Sequence, residues 1–270
     1  MTDPIARIAA ALERLSPPPA PMADPAAYPA YGWDGASLSA IAAFRPLPLA
    51  RLVGVDRQRD LLLANLRRLA GGAAAQDVLL WGARGTGKSA LVKSVVANLQ
   101  GTGADIAMID VGAARIATLP RLFALIGAVP RAFVLFIDDL GFDAPGEGRA
   151  FRSLLEGGAA ARPDNARLVV TSNRRHLVPR DFAAEADAIN PRDTADDQLA
   201  LADRFGLSLG FHAVDQDQYL AVVHAHAAAL GLVADDADAI RWATQRGARS
   251  GRVAWHYVVD LAGRAGVPVT

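Results

Sequence analysis

Cysteine is absent from all 270 residues, which rules out a disulfide framework and a cysteine-based zinc site. A reducing compartment is the natural home of such a chain. An excess of either charge is missing too: 28 Lys and Arg balance 28 Asp and Glu, which argues against a surface that acts as a whole as a trap for nucleic acid. A local basic patch remains open. No run approaches the roughly 20 apolar residues of a membrane span, and Met1-Thr2-Asp3-Pro4 carries no basic segment with an apolar stretch behind it. The expectation is a soluble, cytoplasmic protein with no membrane partner. Aromatic residues are sparse at 6%, yet the hydrophobic share is 52% and the charged share 21%. Such a chain can bury a full core, with room for one large domain and a smaller one.

The most informative segment is Gly82-Ala83-Arg84-Gly85-Thr86-Gly87-Lys88-Ser89. It is entered from the apolar Val78-Leu79-Leu80-Trp81 and followed by Ala90-Leu91-Val92-Lys93-Ser94-Val95-Val96. The pattern reads as a strand, a phosphate-binding loop and a helix. Glycines let the backbone wrap an anion without Cβ clashes, so that successive N–H groups and the positive end of the helix face the phosphates. Lys88 then reaches the β- and γ-phosphates, and Ser89 ligates magnesium.

Around this loop the chain divides into three parts. In residues 1–47, a short helix over 5–15 gives way to an Ala-rich stretch broken by Pro17, Pro18, Pro19, Pro21, Pro25 and Pro29. That composition predicts a linker or an arm, docked on the body by Tyr28, Tyr31 and Trp33. In residues 48–211, Asp56 is positioned to cap a helix whose inward face is Leu62, Leu63, Leu66 and Leu69, ended by Gly71-Gly72. Just before it, Val53 and Gly54 either line a base or belong to ordinary core packing. Continuous apolar runs at 78–81, 106–109, 132–137, 168–170 and 207–211 predict five parallel strands covered on both faces by helices, an αβα sandwich. In residues 212–270 only helical periods remain, at 216–230, 234–245 and 251–264, which predicts a small all-helical domain.

The run Phe133-Val134-Leu135-Phe136-Ile137 delivers Asp138 and Asp139 to the C-terminal end of a buried strand, the edge where ligands bind in open α/β sheets. Beside a phosphate loop, Asp138 holds magnesium through water and Asp139 polarises the attacking water; alternatively the two acids begin a solvated loop. Leu168-Val169-Val170-Thr171 ends in Ser172-Asn173. The Asn173 carboxamide can detect a γ-phosphate without adding charge, or simply form a turn.

Taken together, these motifs resemble the AAA+ ATPases, with 82–89 similar to their Walker A, 133–139 to Walker B and Asn173 to sensor 1. Asp203-Arg204-Phe205-Gly206-Leu207 is similar to that superfamily's arginine-finger segment, and Arg252-Val253-Ala254 to its sensor 2 helix. More narrowly, Asp138-Asp139-Leu140, Thr171-Ser172-Asn173-Arg174-Arg175-His176-Leu177 and the segment around Arg204 resemble the bacterial family labelled DUF815. The resemblance implies ATP and Mg2+ bound between core and lid, with Lys88, Ser89 and Asp138 holding them. It implies Asp139 as activator of water, Asn173 as γ-phosphate sensor and Arg252 reaching in from the lid. Arg204 then acts in a neighbouring subunit of a nucleotide-dependent homo-oligomer. Arg249 competes with Arg252, and Arg174 or Arg175 with Arg204. ATP rather than GTP follows from the resemblance, and no Asn-Lys-x-Asp segment is present to read guanine.

One departure from the superfamily is Asp139, where glutamate is usual. Its oxygen falls short by about an ångström, a misplacement that can cost about a hundredfold in rate, so slow turnover is expected, with Asp143 a possible substitute. His224 and His226 stand two apart on a helix and face different sides, which argues against joint metal ligation. Asp235, Asp236 and Asp238 read as a helix cap. Three function classes follow: an ATPase that remodels or switches a protein client, a binding module with negligible turnover, and a DNA-associated remodeller. The last would use Arg162, Arg167, Arg174, Arg175 and Arg180 and is disfavoured by the zero net charge.

Overall fold

A computed structural model of the protein describes residues 22–141, 162–173 and 204–269, together with Asp3, Pro4, Arg7, Phe151 and Leu155. Its elements, in chain order, are β1 (Ala30–Trp33), β2 (Leu38–Ile41), a 3-10 turn (Leu49–Arg51), α1 (Asp56–Ala70), β3 (Val78–Gly82) and α2 (Lys88–Gly101). There follow β4 (Ile106–Val111), a 3-10 segment (Ala113–Thr118), α3 (Leu119–Ile126), β5 (Ala132–Ile137), β6 (Ala166–Ser172) and β7 (Leu207–Phe211). Three helices close the chain: α4 (Gln216–Ala229), α5 (Asp236–Gln245) and α6 (Gly251–Arg264).

The strands form one sheet in the order β2-β1-β4-β5-β6-β3-β7. Every pairing is parallel except the β1–β2 hairpin. Alternate residues of each central strand feed two cores. Phe133, Leu135, Ile137 and Leu79 pack with α3 on one face. Val134, Phe136, Val78 and Leu80 pack with α1 and α2 on the other. Burial on both sides explains why these strands read as unbroken apolar runs rather than alternating ones. The C-terminal helices have a third core of their own, centred on Tyr219, Val223, Tyr257 and Val258.

Two features differ from the sequence expectation. The five expected strands are all present, but the sheet has seven among the described residues, because the supposed arm supplies β1 and β2. Asp34-Gly35 turns this hairpin: Gly35 has φ +104°, and Asp34 Oδ1 accepts from the Ala36 and Ser37 N–H groups, both at 2.7 Å. Those bonds hold the Asp34 carboxyl at a pKa of about 2. Tyr31 is fully buried and Trp33 nearly so, with Trp33 Nε1 donating to Thr118 Oγ1 at 2.8 Å. The second difference is at α1, where Asp56 is the first helical residue and Val55 occupies the cap position without a side-chain bond. Asp56 acts there as a first-turn charge, favourable to the helix dipole, and pairs with Arg59 at 2.7 Å.

Strand order reverses at β3. The chain leaves β3 for β4, three strands away, returns through β5 and β6, and then lays β7 on the opposite flank of β3. A reversal of this kind opens a crevice at the C-terminal strand ends.

Candidate functional site

The crevice is built by the loop between β3 and α2. At Gly82, φ is +131° and a Cβ would collide with the Phe211 carbonyl, so only glycine lets the loop leave the sheet beside β7. Gly87, at φ +94°, precedes the first residue of α2 and turns the helix N–H groups toward the crevice. Lys88 opens α2 and is 7% exposed. Its Nζ donates to the carbonyls of Gly82 and Ala83, both at 2.7 Å, and reaches Asn173 Oδ1 at 3.4 Å. Burial lowers the Lys88 pKa below the usual lysine value, while the charges of Asp139 and Asp138 act to raise it. An ammonium in this setting is ready to exchange neutral carbonyl partners for an anion.

The acids at the end of β5 face this loop. Ser89 Oγ donates to Asp138 Oδ1 at 2.6 Å. Thr171 Oγ1, from β6, donates to the same oxygen at 2.6 Å and accepts from the Asp139 N–H at 2.8 Å. Asp139 takes φ +51°, alone among the described non-glycine residues in the left-handed region; strain of this kind is concentrated at functional sites. Its Oδ1 accepts from Asn173 Nδ2, and Arg84 stands 3.7 Å from its Oδ2 in an exposed pair. A hydroxyl and a carboxylate in contact at the start of α2 supply the hard oxygen donors that Mg2+ prefers.

These groups line one cavity of about 630 Å3, which runs from Gly85–Ser89 past Asp138, Asp139, Thr171 and Asn173 to the 3-10 turn before α1 and the faces of α4 and α6. Among the expected site residues, Val53, Arg84, Thr86 and Arg252 also line it. Gly82 and Ala83 contribute instead through their carbonyls to Lys88. Gly54 is not a lining residue; its carbonyl accepts from Gln218 Nε2 at 3.1 Å. The N-terminus of α6 docks directly on the phosphate loop, where Gly251 N–H donates to the Gly85 carbonyl at 2.8 Å. This contact brings Arg252 to the cavity wall, whereas Arg249 is directed to Gln216 Oε1 at 3.4 Å and does not line it. Arg204 is exposed and is not one of the lining residues. Arg174, Arg175, Arg180 and Asp143 lie outside the described residues.

Several participants were not singled out from sequence. Thr171 ties both acids to β6, and its signal was a hydroxyl ending an otherwise apolar run. Arg51, Gln218 and Trp255 also line the cavity, together with His226, which the sequence marks only as a histidine facing away from His224; the spacing of four residues from Gln218 to Val222 to His226 is the sequence trace of that face. His224 instead points outward and pairs with Asp236 at 2.7 Å. Asp235 caps α5, accepting from Asp238 N–H at 2.8 Å.

Comparison with known proteins identifies the family and the fold. A family model described as protein of unknown function (DUF815) matches residues 26–265. Among solved structures, the RuvB Holliday junction branch migration motor of Thermotoga maritima superposes with a TM-score of 0.52 at 20% identity, over 83% of this chain and 68% of that one. Orc1 of Aeropyrum pernix, solved in complex with DNA, gives a TM-score of 0.54 at 16% identity, over 81% and 65%. At such identities the likeness is one of fold, the AAA+ fold. No curated protein matches the chain by sequence. Since the family match takes in the hairpin, the phosphate loop, both strand-end motifs and the three closing helices, the chain belongs to the DUF815 family and carries the AAA+ fold.

Proposed function

We propose that this protein binds ATP with magnesium in the cavity between its sheet and its closing helices and hydrolyses it slowly to switch or remodel a protein client. In this reading residues 48–211 are the nucleotide-binding domain and residues 212–270 a lid over it. The observation that carries it is the convergence of Lys88, Ser89, Asp138, Asp139 and Asn173, from three separate strand ends, on one cavity. Lys88 gives up its carbonyl contacts to hold the β- and γ-phosphates, and Ser89 and Asp138 hold the metal. When bound, Mg2+ supplies positive charge to the phosphate oxygens. Asp139 takes a proton from the attacking water, and Asn173 links its carboxylate to the γ-phosphate. Arg252 answers the same phosphate from α6, so that lid position follows nucleotide state.

Arg204, exposed and outside the cavity, serves a neighbouring copy in an assembly formed with nucleotide, where such fingers raise rates by about three to five orders of magnitude. Two features favour slow turnover: the short side chain of Asp139, and the hold Asn173 has on the carboxylate oxygen. In the limit, the protein is a nucleotide-controlled clamp with negligible hydrolysis. DNA as the client is disfavoured by the internal use of two arginines. Arg162 pairs with the buried Asp77, and Arg167 donates to the carbonyls of Ala75 and Ala166 at 2.7 and 2.6 Å.

Calorimetry with magnesium and ATP tests the reading, with binding expected for the natural chain and lost in Lys88→Ala. Turnover per subunit should rise with protein concentration. Arg204→Ala should keep ATP binding and lose that rise. A natural chain that binds no nucleotide refutes the proposal, and binding without concentration-dependent turnover favours the clamp. An ATPase rate or assembly size that responds to DNA restores the DNA client.

A further inference from the structure

The two edges of the sheet are guarded unequally. At β2 the Leu38 carbonyl accepts from the Ala23 N–H at 2.9 Å, so the segment before the hairpin shields that edge. At the other edge β7 reads Leu207-Ser208-Leu209-Gly210-Phe211, with neither a charge nor a proline to discourage pairing. The Leu207 N–H donates to the Asp77 carbonyl and the Phe211 carbonyl accepts from the Ala83 N–H. Alternate residues of β7 therefore bond to β3, and the backbone groups of Ser208 and Gly210 point outward. Gln58 of α1 closes the upper end, its Nε2 donating to the Gly210 carbonyl at 2.8 Å. Ser208 is exposed, and its outward N–H and carbonyl have no partner among the described residues.

Beside this edge lies a groove of about 500 Å3 between α1 and the start of β7. Leu61, Ala64 and Arg68 line it at helical spacings of three and four, joined by Arg67. Asn65, fully buried, fixes its floor: Nδ2 donates to the Gln76 carbonyl and Oδ1 accepts from the Gln76 N–H, both at 2.9 Å. Leu61 is 41% exposed. Among the described residues Arg67 makes no ion pair, and Arg68 donates only to Asn65 Oδ1, at 3.2 Å. A free main-chain edge, an exposed leucine and two cations without a carboxylate thus share one groove.

Each of these features selects an occupant. A strand edge takes an extended main chain, a leucine takes an aliphatic side chain, and paired guanidinium groups take a carboxylate. Leu61 and Arg68 stand about 10 Å apart along the helix, while side chains two apart on one face of a strand are about 7 Å apart; the long arginine stems close the difference. We propose that this groove binds an extended segment of a protein partner, added as a strand to the free edge of β7. The segment presents a carboxylate to Arg67 and Arg68 and, two residues away on the same face, an aliphatic side chain to Leu61. Nucleic acid fits less well, because phosphates would engage the arginines and leave Leu61 and the Ser208 backbone unused. The groove lies at the strand ends opposite the nucleotide cavity, so the inference does not rest on the nucleotide reading.

The test titrates the full chain with two blocked, fluorescently labelled pentapeptides, Thr-Asp-Thr-Val-Thr and its reverse, since a strand adds in either direction. Anisotropy should show saturable binding of one of them below about 1 mM. Lysine in place of the aspartate should weaken binding by about tenfold, and so should Arg67→Glu, because each exchanges an exposed attraction for a repulsion. Arg67→Glu should melt with the natural chain, which reports an intact fold. In hydrogen exchange followed by NMR, the Ser208 amide should gain protection on binding, an effect that charge attraction to α1 alone would not produce. The inference is overturned if neither peptide binds by about 1 mM, if the lysine peptide binds as well, or if Arg67→Glu or the Ser208 amide shows no change. An oligothymidine that displaces the peptide overturns it in favour of nucleic acid. Self-association that Arg67→Glu abolishes, without peptide binding, overturns it in favour of a second copy of the chain.

Discussion

Replacing Thr171 by valine removes one hydroxyl and keeps the side-chain shape, which isolates the bond that ties both acids to β6. Thr171 is 1% exposed, so water cannot take over the position of its oxygen. Two bonds vanish together: the donation to Asp138 Oδ1 at 2.6 Å and the acceptance from Asp139 N–H at 2.8 Å. A hydrogen bond to a charged group is worth about 1.5–3 kcal/mol, and a stranded donor costs about 1–3 kcal/mol. Asp138 keeps Ser89 Oγ at 2.6 Å, and the added methyl recovers about 1 kcal/mol of burial. The net expected loss is about 3 kcal/mol, which for a chain of this size lowers Tm by about 6–12 °C. Differential scanning fluorimetry and urea unfolding should both record it, with Thr171→Ser close to the natural chain. Valine should also weaken magnesium-dependent nucleotide binding, since Asp138 and Ser89 lose a fixed neighbour. A valine variant that melts within about 2 °C of the natural chain would refute the claim that this hydroxyl fixes the strained turn, at that same scale of a few degrees per kcal/mol.

Three further outcomes are expected. Asp139→Asn should melt at or slightly above the natural chain, because asparagine is favoured at the left-handed φ of +51° found there; nucleotide binding should survive and hydrolysis should fall by about a hundredfold or more. Gly82→Ala should yield little folded protein, since its Cβ meets the Phe211 carbonyl. Gly87→Ala, with open space around it, should cost only about 1–2 kcal/mol of backbone strain, and a pair of equal melting temperatures would contradict the clash. His226 titrates below its ordinary 6.5 in the folded chain, first through burial and then through the charge of Arg51. The unfolded chain therefore binds more protons as pH falls below 6.5, and the contribution of this group to stability is complete above that value and lost below it. The fall in Tm between about pH 7.5 and 5.5 should be smaller in His226→Phe; equal slopes would show that burial does not hold the ring neutral.

Local chemistry made much of this molecule legible in one dimension. Unbroken apolar runs identify strands covered on both faces, because such strands alternate between two dry cores and have no wet side to mark. The phosphate loop is equally readable, since its glycines and Lys88 act through their own backbone and their immediate neighbours. Asp138, Asp139 and Asn173 follow from position alone, each just past the end of an apolar run.

What the sequence does not carry is what depends on distant chain segments meeting. The hairpin of β1 and β2 was masked by the prolines before it, although Asp34-Gly35 is a turn signal; its place beside β4 is a long-range pairing that no local pattern encodes. Thr171 is an ordinary strand residue until β6 lies against β5 and lends its hydroxyl to both acids. Arg252 and Arg249 are indistinguishable by spacing, and the docking of the Gly251 N–H on the Gly85 carbonyl separates them by fixing which turn of α6 meets the loop. In the sequence His226 is only one of two histidines on different faces of a helix. Only the packing of α4 and α6 over the 3-10 turn leaves its nitrogen unpaired beside an open chamber, because burial and hydrogen-bond satisfaction belong to the assembled molecule and not to any one segment.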